Sequence, residues 1–260
     1  MRFLERITVL IFAVVSLLFF GTRLYLSWTA DHTPPVLVCD SDVLEISLGA
    51  SQDTLLSGVT ASDNRDGDLT DQILIKGVSQ LITADTAKVT YIVFDSSNNM
   101  ATIQRPLRYL NYEKPRFSLS APLVFTAGEQ IRLLPFLSAS DLVDGDLSHS
   151  IRVTNHNMDT SRPGRYHVTL QVTNSLGDTE SLPVSVLVRE QLPADPALTL
   201  SEYIVYLEQG DTFSPTAFIL TPADPGSVEV ESAVDPETPG TYEVSYTYRN
   251  YTVFQTVVVR

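Results

Sequence analysis

The chain has 260 residues, a formal charge of -14 and a single cysteine. That length admits one or two average domains or three small ones, the acidic balance argues against nucleic acid as a partner because phosphate would be repelled, and the lone cysteine excludes an intrachain disulfide. With 43% hydrophobic and 18% charged residues the composition is that of folded domains rather than a disordered or low-complexity chain.

Residues 7 to 22 carry no charge, and apolar side chains continue past Arg23 through Leu24, Tyr25, Leu26 and Trp28. A helix over 7–28 would rise roughly 33 Å, enough to cross the hydrocarbon core of a bilayer. Arg23 would snorkel to the headgroups, and Tyr25 and Trp28 fall where an aromatic belt is expected. Arg2 and Arg6 precede the apolar run, so residues 1–6 are predicted to stay in the cytoplasm and the rest to be exported. This predicts a single-pass protein of the cell membrane with an extracellular C-terminal region. A cleaved signal peptide is the competing reading, but a cut after Ala30 would put Trp28 where a small residue is required. An anchor with so short an inner segment has no room for a cytoplasmic signalling domain.

Pro34-Pro35 marks a stiff exit from the anchor. Cys39 then lies in the apolar run Val36-Leu37-Val38-Cys39, which predicts a buried, inert thiol. From here the chain repeats itself. Ala61-Ser62-Asp63-Asn64-Arg65-Asp66-Gly67-Asp68-Leu69-Thr70 returns as Ala139-Ser140-Asp141-Leu142-Val143-Asp144-Gly145-Asp146-Leu147-Ser148, and Pro163-Gly164-Arg165-Tyr166 returns as Pro239-Gly240-Thr241-Tyr242. A period of about 77 residues is too long for a solenoid and suits one small β domain. The predicted domains are 34–110, 115–189 and 197–260, the third divergent. Short, proline-bearing links at 111–115 and 190–196 separate them.

Late in each domain the apolar residues alternate with polar ones. Ala87, Val89, Tyr91 and Val93 do so in the first, Tyr166, Val168, Leu170 and Val172 in the second, and Tyr242, Val244, Tyr246 and Tyr248 in the third. This is the period of a strand with one face in a core. Many short strands with frequent turn signals and no amphipathic helix predict an all-β chain of two-sheet antiparallel sandwiches.

The repeated acids invite a metal. Asp63, Asp66 and Asp68, with Asp141, Asp144 and Asp146, offer the carboxylates that calcium takes, although their spacing is not that of an EF-hand loop. Turn chemistry accounts for the same residues. Asp66-Gly67 and Asp144-Gly145 would make tight turns, with Asp63 and Asp141 accepting from nearby backbone N–H groups. The third domain has Ala223-Asp224-Pro225-Gly226 in that place, so any inference from the acids stops before it.

Enzyme chemistry finds no footing. His32, His149, His156 and His167 lack metal-ligand spacing, no serine lies in a Gly-x-Ser-x-Gly elbow, and there is no phosphate loop or Cys/His cluster. A glycan-binding surface would need exposed aromatic platforms, whereas the one tryptophan belongs to the anchor and the tyrosines of the domains fall mostly on inward positions.

The motif Ala-Ser-Asp-x-x-Asp-Gly-Asp-Leu-Thr/Ser, followed by Pro-Gly-x-Tyr-x-Val and a strand running into Asp95-Ser96-Ser97-Asn98-Asn99, resembles the bacterial immunoglobulin-like repeats of Gram-positive surface proteins. It is also similar to the modules of the hyalin-repeat group and those appended to pesticidal crystal toxins. The first module departs by having Ala84-Asp85 in place of Pro-Gly. The resemblance implies three tandem immunoglobulin-like sandwiches used outside the cell for adhesion, spacing or protein contact, with a protein or cell-wall ligand and without catalysis. An accessory subunit docking another exported membrane protein, or a carbohydrate-binding surface module, is the alternative.

Overall fold

A computed structural model describes residues 2–156, 158–192 and 198–260, with Arg2, Leu4, Thr29, Asn155 and His156 described by backbone alone. The first residue of the predicted inner segment, 193–196 of the second predicted link and the start of the third predicted domain at 197 lie outside the described residues. The chain divides into two compact units, Met1–Leu110 and Asn111–Arg260.

Unit 1 begins with α1 (Arg2–Thr29). Its stretch Glu5–Trp28, 24 residues with none of the apolar window buried, is long and apolar enough to cross a membrane, a property a signal sequence shares. The sequence supports a helix here because no proline interrupts it and leucine, a strong helix former, is its commonest residue. The Thr22 hydroxyl donates back to the carbonyls of Leu18 and Phe19, each at 2.9 Å, and so needs no partner outside the helix.

The strands of unit 1 are β1 (Val36–Cys39), β2 (Leu44–Ile46), β3 (Val59–Asp63), β4 (Gly67–Asp68), β5 (Leu74–Val78), β6 (Thr86–Phe94) and β7 (Met100–Tyr109). A short helix, α2 (Gln52–Leu56), capped by the Ser51 side chain, bridges β2 and β3. The strands form two sheets, β1-β3-β4 and β2-β7-β6-β5. In unit 2 the same plan is laid down again by β8 (Arg116–Leu119), β9 (Val124–Thr126), β10 (Leu137–Asp141), β11 (Gly145–Asp146), β12 (Arg152–His156), β13 (Gly164–Thr173) and β14 (Thr179–Arg189). A third set follows in β15 (Thr199–Leu200), β16 (Ile204–Leu207), β17 (Ile219–Thr221), β18 (Glu229–Ser232), β19 (Gly240–Tyr248) and β20 (Tyr251–Val259). Their sheets are β11-β10-β8 with β12-β13-β14-β9, then β15-β17 with β16-β20-β19-β18. The third set has no counterpart of β4 and β11 because the acid motif that folds into those short strands is missing from it.

Apart from the five-residue α2 the fold after α1 is built of β-strands, with one amendment to a wholly antiparallel sandwich. β2 runs parallel to β7, β9 to β14 and β16 to β20. The chain enters each sandwich in the smaller sheet and crosses to the larger one before its second strand. That strand therefore lies beside the closing strand and travels the same way.

Each sandwich has its own core. Ala87, Val89, Tyr91 and Val93 are fully buried on one face of β6, and Val168, Leu170 and Val172 are buried on β13. On β19 Val244 and Tyr246 are fully buried, while Tyr242 and Tyr248 at the ends of that row are only half-buried. Cys39 is half-buried against the first core, and burial raises its thiol pKa, as suits an inert position. Within unit 2 the second and third cores share side chains, since Ile204 and Val258 pack into the second and Leu119 and Val124 against the third. The Tyr206 hydroxyl accepts from the Phe117 N–H at 2.7 Å, and the Arg260 guanidinium reaches Glu180 at 3.1 Å while lying 4.6 Å from the Tyr206 ring centre. Such a seam holds the two sandwiches of unit 2 as one body.

Candidate functional site

The backbone turn of the acid motif is the same in the first two sandwiches. Asp63 ends β3, and its Oδ1 accepts from the N–H groups of Arg65 at 2.8 Å and Asp66 at 3.0 Å. Gly67, at φ +76°, then turns the chain into β4, where a side chain would be strained. Asp68 Oδ1 accepts from the Thr70 N–H at 2.9 Å. In the second sandwich Asp141 Oδ1 accepts from Val143 N–H at 3.0 Å and Asp144 N–H at 2.8 Å, Gly145 sits at φ +72°, and Asp146 Oδ1 accepts from Ser148 N–H at 2.9 Å.

Asp66 and Asp144 point elsewhere, to the turn between the two longest strands. Asp66 accepts from the N–H of Ser96 at 2.7 Å and from its hydroxyl at 2.8 Å, and Asp144 from the Ser175 N–H at 2.6 Å. Asp66, Asp68, Asp144 and Asp146 thus spend oxygens on backbone and hydroxyl donors. The three-carboxylate grouping among the described residues is a different one, Asp31, Asp63 and Asp95, in which one oxygen of each lies within 4.8 Å of the other two.

These three come from three loops gathered at one end of the first sandwich: the segment leading into β1, the β3–β4 turn and the β6–β7 turn. Asp95 is 6% exposed and organises its own turn. Its Oδ1 accepts from the N–H groups of Ser97 at 2.9 Å and Asn99 at 2.7 Å, and its Oδ2 from the Asn99 amide at 2.7 Å. That amide also reaches the Asp31 carbonyl at 3.0 Å. Asp31 is 9% exposed, and its Oδ1 accepts from the Thr33 N–H at 3.0 Å. The Oδ2 atoms of Asp31 and Asp63 are shut off from solvent with no hydrogen-bond partner.

The second sandwich resolves the same place differently. Asn174 stands where Asp95 does, and its amide donates to Asp141 Oδ2 at 2.9 Å and to the Tyr112 hydroxyl oxygen at 3.0 Å. Tyr112 in turn donates to Asp178 Oδ2 at 2.6 Å, and burial together with that carboxylate drives its pKa upward. Every polar group of this closed set has a partner.

The Asp63 carboxyl is held below its ordinary value of 3.8, first by the Asp66 N–H and then by that of Arg65. Asp68 and Asp146 are likewise lowered, by the hydroxyl and then the N–H of Thr70 and of Ser148 respectively. A depressed folded pKa contributes stability that is present above the unfolded value and lost as pH falls through the folded one. Both units are therefore expected to lose urea resistance from about pH 4 downward. A urea midpoint constant from pH 5 to about pH 2.5 would contradict this reading of the turns.

Serine, histidine and an acid also meet between β13, β14 and β19. Ser185 Oγ lies 3.2 Å from His167 Nδ1 and also donates to Glu243, which pairs with Arg165. The carboxylate sits on the serine rather than behind the histidine, which is the wrong order for activating a nucleophile. His167 itself is solvent-facing on β13.

No known family's sequence profile matches the chain. It is 34% identical over 124 residues to the pesticidal crystal protein Cry22Aa of Bacillus thuringiensis, a match covering 42% of this chain and 16% of that protein. Among solved structures it is similar to the second CBM51 and INT domains of Clostridium perfringens ZmpB, at 17% identity and a TM-score of 0.24 over 56% of this chain and 26% of that one. The lipoprotein BT2262 of Bacteroides thetaiotaomicron gives 13% identity and a TM-score of 0.25 over 55% of this chain and 98% of that one. Likeness at these scores carries no functional inference.

Proposed function

We propose that the chain is a membrane-tethered bacterial surface scaffold whose tandem β-sandwiches stand outside the cell and make adhesive or spacing contacts with a protein or wall ligand. The observation that carries this is the order of parts: an unburied apolar helix over Glu5–Trp28, then sandwiches built three times on one plan. The seam within unit 2 favours a load-bearing body over beads on a string.

The chain on this reading is not an enzyme. The acids of the repeated motif serve turns, and the one Ser/His/acid grouping described has the wrong order. Protein contact is favoured over glycan binding because, among the described residues outside α1, Phe94 at 41% is the exposed aromatic side chain, too little for a stacking platform.

Cross-linking of the full chain in native membranes tests the proposal. Adducts to an exported protein or to wall material, mapped to residues 34–260, are expected. A single stoichiometric membrane-protein partner would move the assignment to an accessory subunit, and adducts to cytosolic proteins would overturn it.

A further inference from the structure

We propose that the first sandwich holds one calcium ion between the carboxylates of Asp31, Asp63 and Asp95, and that this ion fastens the segment following α1 to the sandwich. Three observations carry it independently of the scaffold reading. The first is spacing. One oxygen from each residue lies within 4.8 Å of the others, and two ligands on opposite sides of calcium, at about 2.4 Å each, are about 4.8 Å apart. Magnesium wants a near-ideal octahedron and gives up its waters reluctantly, so carboxylates brought together from three loops suit calcium better. Carboxylates without sulfur or imidazole suit a hard cation.

The second is the state of the oxygens. Asp31 is 9% exposed, and its Oδ2, like that of Asp63, is sealed from water without a donor. Buried polar atoms ordinarily find partners, and carboxylates grouped with one another cannot supply donors to these two acceptors. Arg65 acts on Asp63 through its charge but leaves that Oδ2 without a hydrogen bond. A cation supplies what both oxygens lack.

The third is the second sandwich, which fills the equivalent place with Asn174 and Tyr112 and closes it by hydrogen bonds. There Asp141, the counterpart of Asp63, is kept, but Asn174 stands in place of Asp95 and Tyr112 closes the set where Asp31 would complete it. The site therefore belongs to the first sandwich alone. Its position explains why, since Asp31 follows α1, which ends at Thr29. Binding the ion would fix the 31–33 segment onto the β3–β4 and β6–β7 turns, beyond what the Asn99 amide does already.

The test uses the full chain in detergent micelles, stripped with EDTA and titrated with calcium chloride. D31N and D63N each keep the Oδ1 acceptor used by the backbone and put an amide donor in place of the orphaned oxygen, so both are expected to fold. The parent is expected to bind one calcium per chain, with a dissociation constant on the order of 10⁻⁴ to 10⁻³ M, typical of extracellular modules, and to show a rise in the melting temperature of unit 1. D31N and D63N are expected to lose at least tenfold in affinity and, in EDTA, to melt no lower than the parent. D68N is expected to bind as the parent does. No binding and no melting shift up to 10 mM calcium, undiminished binding in either D31N or D63N, or an equal response to magnesium would overturn the proposal.

Discussion

Replacing Tyr246 with alanine is expected to cost about 4–8 kcal/mol and to unfold the third sandwich. Tyr246 is fully buried at the centre of that core, and truncating a buried aromatic to alanine costs about 3–5 kcal/mol. Its hydroxyl donates to Gln255 Oε1 at 2.7 Å and lies 3.1 Å from the Pro215 carbonyl. Gln255 is itself fully buried, its amide held by the Glu202 carbonyl at 2.8 Å. Removing the ring also strands that side-chain oxygen, an added loss of about 1–3 kcal/mol. The sum is comparable with the whole stability of a small domain. Hydrogen exchange on the full chain is expected to show lost protection across 199–260, while Y246F, which keeps the ring, is expected to lose only about 1–3 kcal/mol. Native protection throughout 199–260 in Y246A would show that this core does not depend on it.

Arg105 is the second site of large expected effect. It is 3% exposed on β7 and ties that strand to two loops, through the Ser57 carbonyl at 2.8 Å, Asp40 at 3.0 Å and the Ser41 hydroxyl. Breaking a buried charged pair usually costs about 3–5 kcal/mol. Here the lower end is expected, because Asp40 is 66% exposed and returns to water when its partner leaves. R105A is therefore expected to lower the stability of unit 1 by about 3 kcal/mol. R105M, which keeps the aliphatic stem against the core, is expected to lose about half as much. Equal losses in the two variants would mean that packing of the stem contributes nothing.

The β architecture was legible because it rests on local patterns. Tyr91, Leu170 and Tyr246 each sit in an alternating row, and Gly67 and Gly145 announce turns that only glycine makes without strain. The parallel pairing of β2, β9 and β16 with the closing strands was not legible, since nothing in Leu44-Glu45-Ile46 says which edge it will meet. Nor was the double burial at the end of β20, where Val257 and Val258 face different cores. An exposed face and a face covered by a neighbouring sandwich carry the same valines.

The candidate site shows the same limit. Reading along the chain joins Asp63 to Asp66 and Asp68, its neighbours in sequence, whereas folding joins it to Asp31 and Asp95, each 32 residues away. The available signal lay in comparing the repeats. Asp95 becomes Asn174 and a tyrosine precedes the second copy, so the first copy carries more acid at one end than its turns require.

The central claim, that the sandwiches lie outside a membrane crossed by α1, is tested most directly by protease access. The full chain, carrying a C-terminal epitope, would be produced in bacteria, the wall removed and protease added to intact spheroplasts. Loss of the epitope before lysis, with a cytoplasmic marker untouched, is the predicted result. An epitope that survives until the membrane is broken would contradict it.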